Sequence, residues 1–314
     1  MPKPKTGPQR LKLLSHSRPP LANAATSSTT QSSRATRGTI RNYHTVQKRL
    51  AHALANGDDA LAESLQSQLS ASGGLQAYQA ASTIGQSAQR GGDTSKVLVE
   101  WLSPSALTSE RSAESDHHHD SETAKQRPLR ILEVGALSTT NAINVPGETV
   151  VRRIDLRSTA PGIEQQDFMT LPIDGAPWRG SERYDVLSLS LVVNFVGNPR
   201  ERGRMLERTT EFLQSGQEEG SQQRRQKKLL PALFLVLPLP CVDNSRYLNE
   251  ERLTAILQSL GYEELHVKRS SKLYYSLWRY DANRHHVQQQ RKVVFKKEEL
   301  RSGRDRNNFC ITTG

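Results

Sequence analysis

Cysteine is nearly absent from this chain, with Cys241 and Cys310 the two examples in 314 residues. Two thiols so far apart exclude a disulfide framework and a cysteine-rich zinc site, and they point to a reducing compartment. Long apolar runs are missing as well. The sequence holds no stretch of the roughly eighteen apolar residues that a membrane helix needs, and Met1 to Pro20 lacks an apolar segment behind its charges. A soluble, intracellular protein with no membrane partner is the expectation. Hydrophobic residues make up 35% of the chain and aromatic residues 5%. That is little for a length that would otherwise hold two cores, so one domain with long polar appendages is expected.

Acid is missing from the first fifty residues, which carry ten Lys or Arg and no Asp or Glu. The last segment, 282–314, has eight basic and three acidic residues, so a chain of net charge +11 has a mildly acidic body between basic ends. Such ends suit a protein that finds a polyanion through mobile arms, with nucleic acid the expected partner and the nucleus the expected place.

Composition divides the chain into five parts. Residues 1–38 are rich in Pro, Ser, Thr and Arg without periodicity and read as a disordered basic tail. A helical extension follows over 39–103. Within it Ile40, Tyr43, Val46, Leu50 and Leu54 recur at helical spacing, then Leu61, Leu65 and Leu69 after the Asn56-Gly57 turn. The stretch from Gly74 to Leu102 reads helix, glycine-rich turn, helix, the last capped by Asp93 or Thr94. Residues 104–128 form a polar linker whose His117-His118-His119 run has no second ligand cluster near it, so no metal is expected.

From 129 to 281 the pattern alternates strands and helices, as a parallel α/β sheet requires. Leu129–Val134, Val150–Leu156, Tyr184–Leu191 and Leu230–Leu237 read as strands. Pro199–Leu213 and Asn249–Leu260 read as helices, with a polar insertion at Ser215–Lys228. Glu263–Lys268 and Lys272–Arg279 form an antiparallel pair. Residues 282–314 then read as a basic C-terminal tail. Four parallel strands closed by a hairpin is the content of a Rossmann-like class I methyltransferase sheet.

The residues that carry chemistry sit at the ends of these strands. The first ends Glu133-Val134-Gly135, an acid and a glycine that permits close backbone approach. Asp155 ends the second strand twenty residues after Gly135, where a carboxylate accepts from both hydroxyls of a ribose. Asp167 and Phe168 follow, an acid-aromatic pair placed to meet an adenine amino group and ring. The spacing leaves a dinucleotide enzyme open. The loop, however, has Ala136, Leu137 and Ser138 where a pyrophosphate needs glycines. A phosphate-free nucleoside cofactor suits it better. The strand from Tyr184 ends in Asn194-Phe195, a polar residue followed by an aromatic, suited to gripping a planar base. Arg200, Arg202 and Arg204 read as a solvated or phosphate-facing set.

Taken together, Tyr78–Gln86, Arg90–Lys96, Leu132–Ser138, Arg153–Leu156, Gln166–Met169 and Ser188–Val196 resemble the fungal nucleolar 25S rRNA adenine-N(1)-methyltransferase family over roughly residues 37–281. The resemblance implies S-adenosyl-L-methionine as cofactor, held at Gly135 and Asp155, and methylation of N1 of an adenosine in large-subunit rRNA. It further implies rRNA or a pre-ribosomal particle as partner and the nucleolus as location. An animal S-adenosylmethionine sensor upstream of the TOR kinase is related to the same family. A non-catalytic sensor or interaction protein is therefore the alternative reading.

Overall fold

The computed structural model describes residues 33–85, 92–103, 127–158, 160–173, 183–213, 229–291 and 293–314. The tail before Ser33, most of the polar linker with its histidine run, and the 215–228 insertion lie outside the described residues.

Three helices open the described chain: α1 (Ser33–Ala55), α2 (Asp59–Ala71) and α3 (Gly74–Gly85). Helix α1 starts six residues before the expected boundary, so 33–38 belong to the helix and not to a disordered tail. Asp58 caps α2 by accepting from the Leu61 N–H at 3.1 Å, which satisfies one of the donors a helix start leaves unpaired. Val46, Ala53, Ala62, Leu65 and Leu69 make a small core between α1 and α2, with Tyr43 and Leu50 against it. Leu54 and Leu61, expected on the packed faces, are instead 59% and 37% exposed.

Helix α4 (Ser95–Leu102) leads into a seven-stranded sheet. The strands are β1 (Leu129–Val134), β2 (Thr149–Asp155), β3 (Glu164–Gln165), β4 (Val186–Ser190), β5 (Ala232–Pro238), β6 (Tyr262–Arg269) and β7 (Leu273–Tyr280). Their spatial order is β3-β2-β1-β4-β5-β7-β6. The pairings are parallel from β3 to β5, and β7 enters antiparallel between β5 and β6. This is the class I methyltransferase sheet that the strand pattern predicted, with one strand more: β3 has two residues, too few for periodicity to reveal.

Between the strands lie α5 (Pro199–Phe212), α6 (Leu239–Asp243) and α7 (Glu250–Ser259), and α8 (Ala282–Arg291) follows the sheet. Alternation along each strand splits the core into two faces. Leu132, Val134, Leu187 and Leu189 pack with Met205, Leu206 and Phe212 of α5 and with Leu253, Ile256 and Leu257 of α7. Ile131, Val186, Phe234 and Val236 face the other way, onto Leu98 of α4 and Ile143. A parallel connection ordinarily covers its sheet with its own crossover helix. Here residues 135–148, between β1 and β2, contain no helix, and α4, which precedes β1, covers that face instead.

The C-terminal segment is the main correction to the domain boundaries. Residues 282–314 are not a tail outside the domain. After α8 the chain runs back over α5 and α6 as an extended strap. Phe295, Phe309 and Ile311 from it enter the core shared by α5 and α7. Arg301, one of its basic residues, donates to the carbonyl oxygens of Ser245, Asp243, Val242 and Leu248 at 2.6–3.0 Å. The strap passes so close to α5 that a Cβ on Gly203 would overlap the Thr312 carbonyl oxygen. No helix among the described residues is long and apolar enough to cross a membrane.

Candidate active site

Parallel strands aim their carboxyl ends at one edge of the sheet, where ligands of open α/β folds gather. Gly135 follows β1, Asp155 ends β2, Asp167 follows β3 and Asn194-Phe195 follow β4. The residues singled out from the sequence therefore share one edge, with Glu133 and Phe168 set behind it.

Gly135 has φ of +74°, and an added Cβ would lie 2.7 Å from Val192 Cγ2. Both facts demand glycine. The left-handed turn sends the Gly135 and Ala136 N–H groups to the Ile154 carbonyl at 2.8 and 3.2 Å, drawing the loop across the end of β2. There Asp155 Oδ1 accepts from the Arg157 N–H at 2.9 Å, which orients the carboxylate at the strand end. Leu156, which sequence reasoning passed over, is 60% exposed beside it. An apolar side chain that open, next to an acid at a strand end, is an available ledge for a flat ring.

Glu133 is 8% exposed and serves the loop from behind. Its Oε1 accepts from Asn141 Nδ2 at 2.6 Å, and its Oε2 lies 3.6 Å from Arg153 Nε. Burial pushes its carboxyl up to about 7, against the pull of Asn141 and Arg153. Asp93 supports the same loop. It accepts from the Ser95 N–H and Oγ–H at 2.9 and 2.7 Å and from the Ala142 N–H. Ser95 Oγ accepts from Ile143 at 3.1 Å. Of the two expected caps for α4, the carboxylate of Asp93 does the capping. Thr94 turns its hydroxyl to Ser190 Oγ at 2.7 Å, at the very end of β4. Residues 86–91 of the glycine-rich turn lie outside the described residues.

Phe168 departs from expectation. It is 3% exposed and packs on Phe212 with ring centroids 5.3 Å apart. Its ring is core, so it offers no open face to an adenine. Spacing could not tell a buried aromatic from a displayed one. Its neighbour Asp167 is half-buried, with Oδ1 accepting from the Met169 N–H at 2.8 Å. Arg208 pins this loop by donating to the Phe168 carbonyl at 2.8 Å and to that of Leu171.

The end of β4 is strained. Leu191 has φ of +58°, a conformation that costs a non-glycine residue about 1–3 kcal/mol and that gathers at functional sites. A short 3-10 turn over Val193–Phe195 follows. In it Asn194 Oδ1 is buried and accepts no hydrogen bond from any described residue. A native fold seldom leaves a buried acceptor unpaired without a reason. Phe195 meets Tyr78 of α3 edge-on at 5.2 Å, and Tyr78 stacks on Tyr43 of α1 at 4.7 Å. The helical extension is therefore in contact with the candidate site.

Arg202 is not a solvated or phosphate-facing side chain. It is 9% exposed. Nε donates to the Val196 carbonyl and Nη1 to that of Cys310, both at 2.7 Å, while Nη2 reaches Gly197 O at 3.5 Å. Its guanidinium lies 4.2 Å from the Phe309 ring centroid. Burial lowers its pKa to about 10. Arg202 thus ties the turn after Asn194-Phe195 to the C-terminal strap. Arg204 pairs with Glu201 at the surface at 3.0 Å.

Comparison with known proteins identifies the family. The family described as 25S rRNA (adenine(2142)-N(1))-methyltransferase, Bmt2, matches residues 63–311. A 25S rRNA adenine-N(1) methyltransferase of Schizosaccharomyces pombe is 32% identical over 273 residues, covering 87% of this chain and 89% of that protein. A 25S rRNA (adenine(2142)-N(1))-methyltransferase of Saccharomyces cerevisiae is 35% identical over 251 residues, 79% of this chain. The aligned part spans 62% of that protein's length. Among solved structures, the chain is similar to the N-methyltransferase NodS from Bradyrhizobium japonicum in complex with S-adenosyl-L-homocysteine, at 11% identity and TM-score 0.34, over 59% of this chain and 84% of that one. It is also similar to the N-terminal domain of EvdMO1 with S-adenosyl-L-homocysteine bound, at 15% identity and TM-score 0.31, over 48% and 74%. The family match runs from within α2 to Ile311 of the strap and takes in every strand of the sheet. The chain belongs to the Bmt2 family of 25S rRNA (adenine(2142)-N(1))-methyltransferases.

Proposed function

We propose that this chain transfers a methyl group from S-adenosyl-L-methionine to N1 of an adenosine in 25S rRNA, acting in the nucleolus on a pre-ribosomal particle during ribosome biogenesis. The observation that carries the reading is the convergence of Gly135, Asp155 and Asn194 at one sheet edge within the region matched by the family. Basic residues without acid over 1–50 support an RNA partner and nuclear placement.

The residues present fit the cofactor. Asp155 supplies a carboxylate for a ribose diol, Leu156 an apolar ledge for adenine, and Gly135 the left-handed turn that draws the loop across the end of β2. Asp167 would accept from the adenine amino group. When bound, S-adenosyl-L-methionine supplies an electrophilic methyl on a sulfonium.

The protein's own task is then to hold the acceptor base. Adenine N1 carries its own lone pair, so alignment matters more than proton removal. The N1 edge is hidden in a duplex, so the base must be unpaired or flipped out. Asn194 Oδ1, a buried acceptor in need of a donor, accepts an N–H of the exocyclic amine, whose acidity grows as the ring becomes cationic. Phe195 provides the stacking face. The test is to incubate the full chain with S-adenosyl-L-methionine and a single-stranded 25S rRNA fragment and to compare the Asn194→Ala/Phe195→Ala double variant. Loss of methylation with retained binding of S-adenosyl-L-homocysteine supports the assignment, and wild-type methylation by the variant removes it.

A further inference from the structure

Helix α1 is where the charge of the chain meets its candidate site. Its 23 residues contain Arg34, Arg37, Arg41, Lys48 and Arg49 and no acidic residue. Positions 34, 37, 41 and 48 are separated by three, four and seven, the intervals that return to one side of an α-helix. From 34 to 48 that line extends about 21 Å, at roughly 1.5 Å per residue. Arg41, Lys48 and Arg49 are exposed, and none of them has an ion-pair partner among the described residues. A row of like charges on one helix repels itself and is tolerated where a polyanion relieves it.

The opposite face of α1 is packed. Val46 and Ala53 lie in the small helical core. Tyr43, half a turn round from Arg41, stacks on Tyr78, whose ring edge contacts Phe195. The charge of Arg157, two residues past Asp155, also acts on the Tyr43 hydroxyl. The basic row is therefore held at a fixed offset from the site.

We infer that the exposed basic row of α1 is a track for the phosphates of the single-stranded rRNA flanking the target adenosine, fixed beside Phe195 by the Tyr43–Tyr78 stack. It rests on the reading of this chain as an rRNA methyltransferase. It adds that part of the basic N-terminus is a rigid guide and not a mobile arm.

The experiment compares the full-length wild type with an Arg41→Ala/Lys48→Ala/Arg49→Ala variant. The control is Arg284→Ala/Arg291→Ala/Arg304→Ala, which removes the same charge from exposed positions on α8 and the strap. Methylation of a single-stranded 25S fragment and its binding are measured across salt, together with S-adenosyl-L-homocysteine binding as a check on folding. Three lost phosphate contacts flatten the slope of log K against log salt by about 2 for a single strand. The α1 variant should therefore have at least a tenfold higher KM for RNA at low salt, with kcat and S-adenosyl-L-homocysteine affinity retained. The control should keep the wild-type slope. An α1 variant with the wild-type slope and KM, or an equal loss in the control, overturns the inference while leaving the enzyme reading intact. Equal competition by polyglutamate and by an RNA of matching charge would assign the row to an acidic protein and overturn it as well. If the wild type binds S-adenosyl-L-homocysteine but methylates no 25S fragment, the underlying reading falls, and this inference with it.

Discussion

Replacing Arg202 by Met tests whether the C-terminal strap and the Asn194-Phe195 turn act as one unit. The guanidinium makes two hydrogen bonds at 2.7 Å, to Val196 O and Cys310 O, each worth about 1.5–3 kcal/mol for a charged donor. Its contact with the Phe309 ring at 4.2 Å adds about 2 kcal/mol in a desolvated setting. Against this stands the burial that brings its pKa to about 10, a penalty of about 3 kcal/mol that Met does not bear. The balance predicts a net loss of about 2–5 kcal/mol, a large share of the roughly 5–15 kcal/mol that holds a domain together. Urea denaturation of the full chain measures it. Because Val196 directly follows Phe195, the folded fraction should also show a lower kcat for RNA methylation with unchanged affinity for S-adenosyl-L-homocysteine. Arg202→Lys keeps the charge but not the planar fork, and should recover less than half of the loss. Stability within about 0.5 kcal/mol of wild type in Arg202→Met, the ordinary range for a surface change, would refute the reasoning.

Glu133→Gln should show a pH-dependent gain. The folded carboxyl titrates near 7 against an ordinary 4.5, so ionisation opposes folding. The variant should match wild type below about pH 4.5 and melt progressively higher than it up to about pH 7, with a plateau beyond; a difference in Tm that does not vary with pH contradicts this. Gly135→Ala places a side chain at φ of +74° and 2.7 Å from Val192 Cγ2. About 1–2 kcal/mol of backbone strain plus the clash should weaken S-adenosyl-L-homocysteine binding in calorimetry at least tenfold, and wild-type affinity would show that the loop has another way to turn. Deleting 293–314 removes Phe295, Phe309 and Ile311 from the core, each worth about 1.5–3 kcal/mol in burial. The truncated chain should lose its cooperative melt, and a wild-type Tm would restore the segment to the status of a tail.

Local pattern made the placement of Gly135, Asp155 and Asn194 at strand ends legible, because a strand end is written in a few consecutive residues. The positions of the large strands along the chain were legible from their apolar runs. Phe168 was not: an aromatic three residues past a strand looks the same whether it faces a ligand or, as here, Phe212. Arg202 was hidden among Arg200 and Arg204, since which of three alternating arginines turns inward depends on what packs over α5. That partner, the strap, was unreadable in turn. Its buried Phe295, Phe309 and Ile311 are scattered among charges at no period, and its arginines look solvated until Arg301 is seen to bind four carbonyl oxygens. The displaced cover of the sheet by α4 was likewise non-local, since Leu98 joins one buried cluster with Ile131 of β1 and Ile143.

The central claim is that the edge formed by Gly135, Asp155 and Asn194 methylates adenine N1 in 25S rRNA. Mass spectrometry of a single-stranded 25S fragment, treated with the full chain and S-adenosyl-L-methionine, measures it directly. The account predicts one N1-methyladenosine with the wild type and none with Asp155→Ala, whose melting temperature should be little changed. An unmodified fragment from a wild type that binds S-adenosyl-L-homocysteine, or full modification by Asp155→Ala, would contradict it.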